Sequence, residues 1–176
     1  MSGITKAELR ALAEAGDEQA LLAAFDEDPA RVRRFLTRLT FAPDDACHAA
    51  VIACFELLAR ERCAGMPSFF LEIIRRSLWE MNEEGANNSW SAPERAGAVI
   101  AGATPRFDEY FSFVFYAARD EPLFHDSLRA AFALVAAANP ALGEEYRAGI
   151  EALSGTYGGL ARAGMRRHVV RGEEAP

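Results

Sequence analysis

Lysine is almost missing from this chain. Lys6 is the only one in 176 residues, and arginine supplies the other basic side chains. Cysteine is nearly as scarce, with only Cys47, Cys54 and Cys63. On a helix, Cys47 and Cys54 stand two turns apart, roughly 10 Å by the helical rise, which is too far for a disulfide. A sparse, odd set of this kind fits reduced thiols in a cytoplasmic protein. There is no Cys-x-x-Cys pair and no His-x-x-x-His pair, which argues against a structural zinc site. No apolar run reaches the length of a membrane span. The opening residues Met1 to Lys6 contain no apolar signal core. Glycine-rich phosphate loops, Gly-x-Ser-x-Gly and His-Glu-x-x-His are all missing. Nothing in the sequence therefore implies a metal or a cofactor.

The chain does have ample material for a core. It is 51% hydrophobic and 26% charged, the balance of a folded globular protein rather than a disordered one. Nineteen basic and 26 acidic residues leave a net charge of −7. Such a chain is a poor general binder of nucleic acid or anionic membranes, though a local basic patch remains compatible with it. Alanine makes up about a fifth of the residues. It is the strongest helix former, and its small side chain lets helices approach closely.

The prolines act as regular punctuation. Pro29, Pro43, Pro67, Pro93, Pro105, Pro122 and Pro140 mostly open segments with helical periodicity, as expected for a residue favoured in the first turn and excluded from helix interiors. The pattern predicts helices near 5–15, 18–27, 29–40, 44–62, 67–82, 92–103, 106–118, 121–138 and 140–153, with a tenth over 156–164. Thr5 with Glu8 has capping-box spacing, and Ser91, Asp120 and Asn139 stand before other helices. No segment alternates like a strand, so the fold class is all-α. Residues 1–170 form a single helical domain in this reading, and 171–176 a frayed tail. Helix starts recur in pairs every 20 to 40 residues, which fits HEAT or armadillo hairpins. A non-repetitive helical bundle would give similar periodicity.

One stretch does not look like scaffold. Residues 79–94 carry both tryptophans, Trp79 and Trp90, with Asn82, Glu83, Glu84, Asn87 and Asn88 between them and Glu94 just beyond. On the wheel of helix 67–82, the apolar side is Phe69, Phe70, Ile73, Ile74, Leu78 and Met81. Trp79 falls on the other side, flanked by Arg75, Glu72 and Arg76. It could clamp the loop to the body, stack on an arginine or line a binding surface.

The pattern Trp-x-x-Asn-Glu-Glu followed by Trp-x-Ala-Pro-Glu resembles a motif in a group of prokaryotic HEAT-like repeat proteins. These are often labelled by similarity to phycobilisome-lyase-type repeats. Trp79, Asn82, Glu83, Trp90, Ala92, Pro93 and Glu94 match. The resemblance implies a right-handed α-α superhelix over about 20–160. The glycine-rich loop expected in those relatives reads Ala86-Asn87-Asn88-Ser89 here. No catalytic role carries over.

Other candidates have ordinary explanations beside them. His48 lies on the apolar side of its helix near Val51, Ile52 and Phe55. It reads as a packed histidine, or with Cys47 or Cys54 as part of a metal or redox site. His125 and Asp126 precede Arg129, a spacing typical of a surface pair. Arg31, Arg34 and Arg38 form a stripe beside Arg33, after the acidic Asp26, Glu27 and Asp28. They read as a solvated face, or as a phosphate or nucleic-acid contact. Arg166, Arg167, His168 and Arg171 form a second basic group near the end.

The sequence thus predicts a non-enzymatic HEAT-like module that binds a protein partner. Its contact residues would be Trp79, Asn82, Glu83, Glu84, Asn87, Asn88, Trp90 and Glu94 on a concave surface. The alternatives are a HEAT-fold enzyme, chromophore-lyase-like or DNA-glycosylase-like with Glu83, Glu84, Trp79 and Arg75, or a small-molecule or metal sensor. Nucleic acid is the less favoured partner because of the net acidity.

Overall fold

The computed structural model describes residues 3–42, 46–82 and 90–153. Among them are nine α-helices and one 3-10 turn, with no strand. The helices are α1 (Lys6–Ala15), α2 (Glu18–Glu27), α3 (Pro29–Leu39), α4 (His48–Arg62), α5 (Pro67–Asn82), α6 (Ala92–Gly102), α7 (Tyr110–Arg119), α8 (His125–Ala138) and α9 (Pro140–Glu151). The 3-10 turn, Pro122–Phe124, leads into α8. The expected tenth helix over 156–164 and the tail over 171–176 lie outside the described residues.

Local chemistry sets most helix starts. Thr5 and Glu8 form the expected capping box: Thr5 Oγ1 accepts from the Glu8 amide, and the Glu8 carboxylate accepts from the Thr5 amide at 2.8 Å. The carboxylates of Asp17 and Asp28 cap α2 and α3, and the Asn139 side chain caps α9. Gly16 ends α1 in the left-handed region (φ 64°), a conformation open to glycine at no steric cost.

Several of the expected starts differ, among them α4, which begins at His48, four residues after the predicted start, and α8, which begins at His125 after the 3-10 turn. Ser91 precedes α6 but makes no capping bond; its hydroxyl donates instead to the Thr40 carbonyl at 3.0 Å. Asp120 ends α7 rather than opening the next element. Helix α7 begins at Tyr110, four residues later than the periodicity predicted. The preceding residues form consecutive tight turns. Asp108 helps hold them by accepting from Thr104 Oγ1 at 3.1 Å and from Asn139 Nδ2 at 2.6 Å. An apolar wheel cannot register these polar ties.

Helix α6 is the centre of the molecule. Helices α4 and α8 flank it, and α5 and α7 also pack on it. It is buried along nearly all of its length, including Ala92, Ala96, Ala98, Val99, Ile100 and Ala101. A helix that is covered on every side must be small if its neighbours are to reach it. At Gly97 an added Cβ would lie 2.6 Å from the Ala131 methyl of α8. At Gly102 it would lie 2.2 Å from the Glu56 carbonyl oxygen of α4. The abundance of alanine and these two glycines thus permit the close contacts of α4, α6 and α8.

The N-terminal helices close one end. Leu9, Leu21, Phe25, Val32 and Leu36 join the same core as α4, and Phe25 packs against Phe69 and Phe70 of α5. At the other end Phe111 and Phe115 of α7 enclose Tyr146 of α9.

Two tests follow from this packing. Alanine is intrinsically the better helix residue by ~1 kcal/mol, yet Gly102→Ala should destabilise the protein by about 1–3 kcal/mol because its Cβ meets backbone. Urea denaturation showing equal or greater stability would contradict the contact. Burial pushes the Cys54 thiol up to about 11, with Cys47 adding to the shift. The folded state therefore holds that proton where the unfolded chain gives it up. Stability should fall as pH rises from about 9 toward 11. Cys54→Ala should flatten that part of the profile.

Candidate functional site

The start of α6 carries a buried charge. Arg95 is 2% exposed and ranks among the largest fully buried side chains. Leaving a guanidinium in an apolar core without partners costs several kcal/mol, so its environment must satisfy it. Its Nη2 donates to the Glu80 carboxylate of α5 in a short charge-assisted bond. Its Nε donates to Ser77 Oγ at 3.1 Å, and its Nη1 to Thr40 Oγ1 at 3.3 Å. Both hydroxyls have already used their protons on backbone carbonyls. Ser77 donates to Ile73 O at 2.9 Å, and Thr40 to Thr37 O at 2.8 Å. Their lone pairs are therefore left to accept from arginine. Burial lowers the Arg95 pKa and the Glu80 carboxylate opposes that shift.

This network ties three elements together. Thr40 follows α3, Ser77 and Glu80 lie on the last two turns of α5, and Arg95 stands on the first turn of α6. Ser91 adds its bond to the Thr40 carbonyl. Glu80 also receives Arg76 Nε at 3.5 Å. The sequence reading missed Arg95 altogether. The one available signal was a lone arginine amid the apolar and small residues of 92–101.

A second polar link holds Glu94. Its carboxylate lies 2.8 Å from His48 Nε2 at the start of α4, and its amide donates to Ser127 Oγ of α8 at 3.0 Å. His48 is half-buried rather than a core residue, and it faces a carboxylate rather than Cys47 or Cys54. Its Nδ1 is buried with no hydrogen-bond partner among the described residues. No group of three His, Cys, Asp or Glu among the described residues could hold a metal ion. His125 is buried, with Nε2 2.8 Å from the Arg119 carbonyl, and Asp126 pairs with Arg129 at 3.4 Å as the spacing suggested.

The expected contact residues separate into distinct environments. Trp79 is 58% exposed on the outer side of α5, with exposed Arg75 and Arg76 beside it. Asn82 is exposed and donates to the Leu78 carbonyl at 2.7 Å. Trp90 is half-buried at the entry to α6, and Glu94 is held by His48. Glu83, Glu84, Asn87 and Asn88 lie outside the described residues. Trp79 and Asn82 therefore share the exposed end of α5, whereas Glu94 belongs to the α4–α6 junction.

Compared with known proteins, the chain matches no family model, no curated protein and no solved structure.

The buried network makes a sharp prediction. Arg95→Met leaves Glu80 buried without its principal counter-charge and should cost about 3–5 kcal/mol in urea denaturation. Adding Glu80→Leu should recover much of that loss. A single variant as stable as the parent would show that the network contributes nothing to the fold.

Proposed function

We propose that the chain is a non-enzymatic helical-repeat module that binds a protein partner, with Trp79 as the anchor of its contact surface. The observation that carries this reading is the position of Trp79. The opposite side of α5 is packed through Phe70, Ile73, Ile74 and Ser77, so exposure of an indole on the outer side gains nothing for the core. Tryptophan and arginine are the residues that most often dominate protein interfaces, and Arg75 and Arg76 stand beside it. Glu80 and Ser77 hold the same turns of α5 against Arg95. The indole is thus presented by a rigid helix, which lowers the entropic cost of binding.

The repeat reading is supported by the packing order. Helices α4, α6 and α8 make one row with contacts at every second helix, and α5 packs on α7 beside it. Two rows of alternate helices are the arrangement of an α-α superhelix. The resemblance of the Trp79 to Glu94 pattern to a motif of HEAT-like repeat proteins points the same way.

The test compares affinity capture by the parent protein, Trp79→Ala and the control Phe113→Ala, an equally exposed aromatic on α7. Trp79→Ala should fold normally and lower the affinity for the captured protein about thirtyfold, the size of a ~2 kcal/mol hot spot. Equal capture by all three proteins would remove Trp79 from the surface.

A further inference from the structure

A groove of about 420 Å³ runs between α3 and α5; Arg76, near Trp79 on α5, lines it, and the Trp79 indole does not. That volume is in the range of small-molecule sites. Its walls are unusually cationic for a chain of net charge −7. Helix α3 supplies Arg33, Arg34 and Arg38, α5 supplies Arg76, and Arg95 contributes from the base. Glu80 is the only carboxylate among the described residues that line it.

The arginines are not equivalent. Arg95 and Arg76 share Glu80. Arg33, Arg34 and Arg38 have no carboxylate partner among the described residues, whereas Arg31 on the same helix pairs with Asp28 at 3.3 Å. Arg33 and Arg34 instead rest on aromatic rings, their guanidinium carbons 5.3 Å from the Phe69 ring centre and 5.2 Å from that of Phe35. Such stacking orients a guanidinium while leaving its N–H fork unspent. Helix periodicity places 30, 34, 37, 38 and 41 along one side of α3 and its extension, so Arg34 and Arg38 share the groove side with Phe41. The groove also contains apolar surface. Phe41, 44% exposed, and Ile73 line it with the arginines.

We propose that this groove binds a small molecule carrying at least two phosphate-type negative charges, a nucleoside polyphosphate being the class that fits both walls. Planar guanidinium forks match phosphate oxygens in bidentate pairs. Three arginines without a carboxylate partner among the described residues call for more than a single negative charge. Phe41 offers an aromatic face for a base. The volume suits a ligand of nucleotide size rather than a duplex, and the acidity of the remaining exterior opposes a long polyanion.

Isothermal titration at low salt with ATP, pyrophosphate, citrate and a short single-stranded oligonucleotide tests this. ATP and pyrophosphate should bind saturably at one site. Arg34→Ala with Arg38→Ala, both exposed positions, should weaken ATP binding about a hundredfold for two lost charge-assisted contacts. Arg60→Ala, on the outside of α4, should leave it unchanged. Melting curves of the variants separate lost binding from lost folding. Phe41→Ala should weaken ATP and leave pyrophosphate unaffected. The proposal is overturned if neither ATP nor pyrophosphate binds, if the double variant binds like the parent, or if citrate binds as tightly as pyrophosphate. Binding of the oligonucleotide alone would also overturn it and assign the groove to nucleic acid. Arg76 borders both surfaces, but the residues substituted here (Arg34, Arg38 and Phe41) do not include Trp79, so failure of this test is distinguishable from failure of the partner-binding test.

Discussion

Arg95 must remain charged, and it sits where water cannot solvate it. That constraint organises the middle of the molecule. A guanidinium with several rigid donors can be buried only if acceptors arrive from several directions at once. Here they arrive from the end of α3, from two turns of α5 and from the carboxylate of Glu80. The network does more than satisfy the charge. It fixes the register of α5 against α6 and brings the end of α3 to the same point. Apolar contacts alone, being non-directional, would leave these angles less well defined.

The surrounding architecture follows from size. Helix α6 can be enclosed because it is built from alanine, glycine and a few branched residues. Its glycines meet a methyl of α8 and a backbone carbonyl of α4. The two requirements reinforce each other: small residues along α6 let α4 and α8 close in, and the resulting exclusion of water strengthens the Arg95–Glu80 attraction.

The outer surface shows what this rigidity supports. Trp79 stands on the same helical turns whose buried side is held by Ser77 and Glu80. The arginine groove lies over the same junction, with Arg95 in its base and Arg33 and Arg34 steadied on aromatic rings. Both are carried by helices whose buried sides join the Arg95 network, and for the proposed binding roles such anchoring would lower the cost of ordering the surface. The two surfaces have different chemistry, one an isolated indole and the other a concave cluster of cations.

Much of the fold was legible along the chain. Proline punctuation, capping residues and 3.6-residue periodicity are local properties, and they placed nine helices within a few residues. They failed where the determinants were not apolar. The Asp108 and Asn139 ties delay α7, and Ser91 turns from its own helix to the Thr40 carbonyl. Of the candidate site, the exposure of Trp79 could be read from its wheel position, because an amphipathic helix has only two sides. The partner of Glu94 could not, since His48 is 46 residues away. Nor could the buried arginine or the groove. By itself the sequence determined an all-helical chain, the approximate places of its helices and the outward face of Trp79, all fixed by interactions within a turn or two. Only the tertiary structure decided which charges are buried, which are paired and which converge. Those outcomes depend on distances between helices far apart in sequence, which local periodicity does not encode.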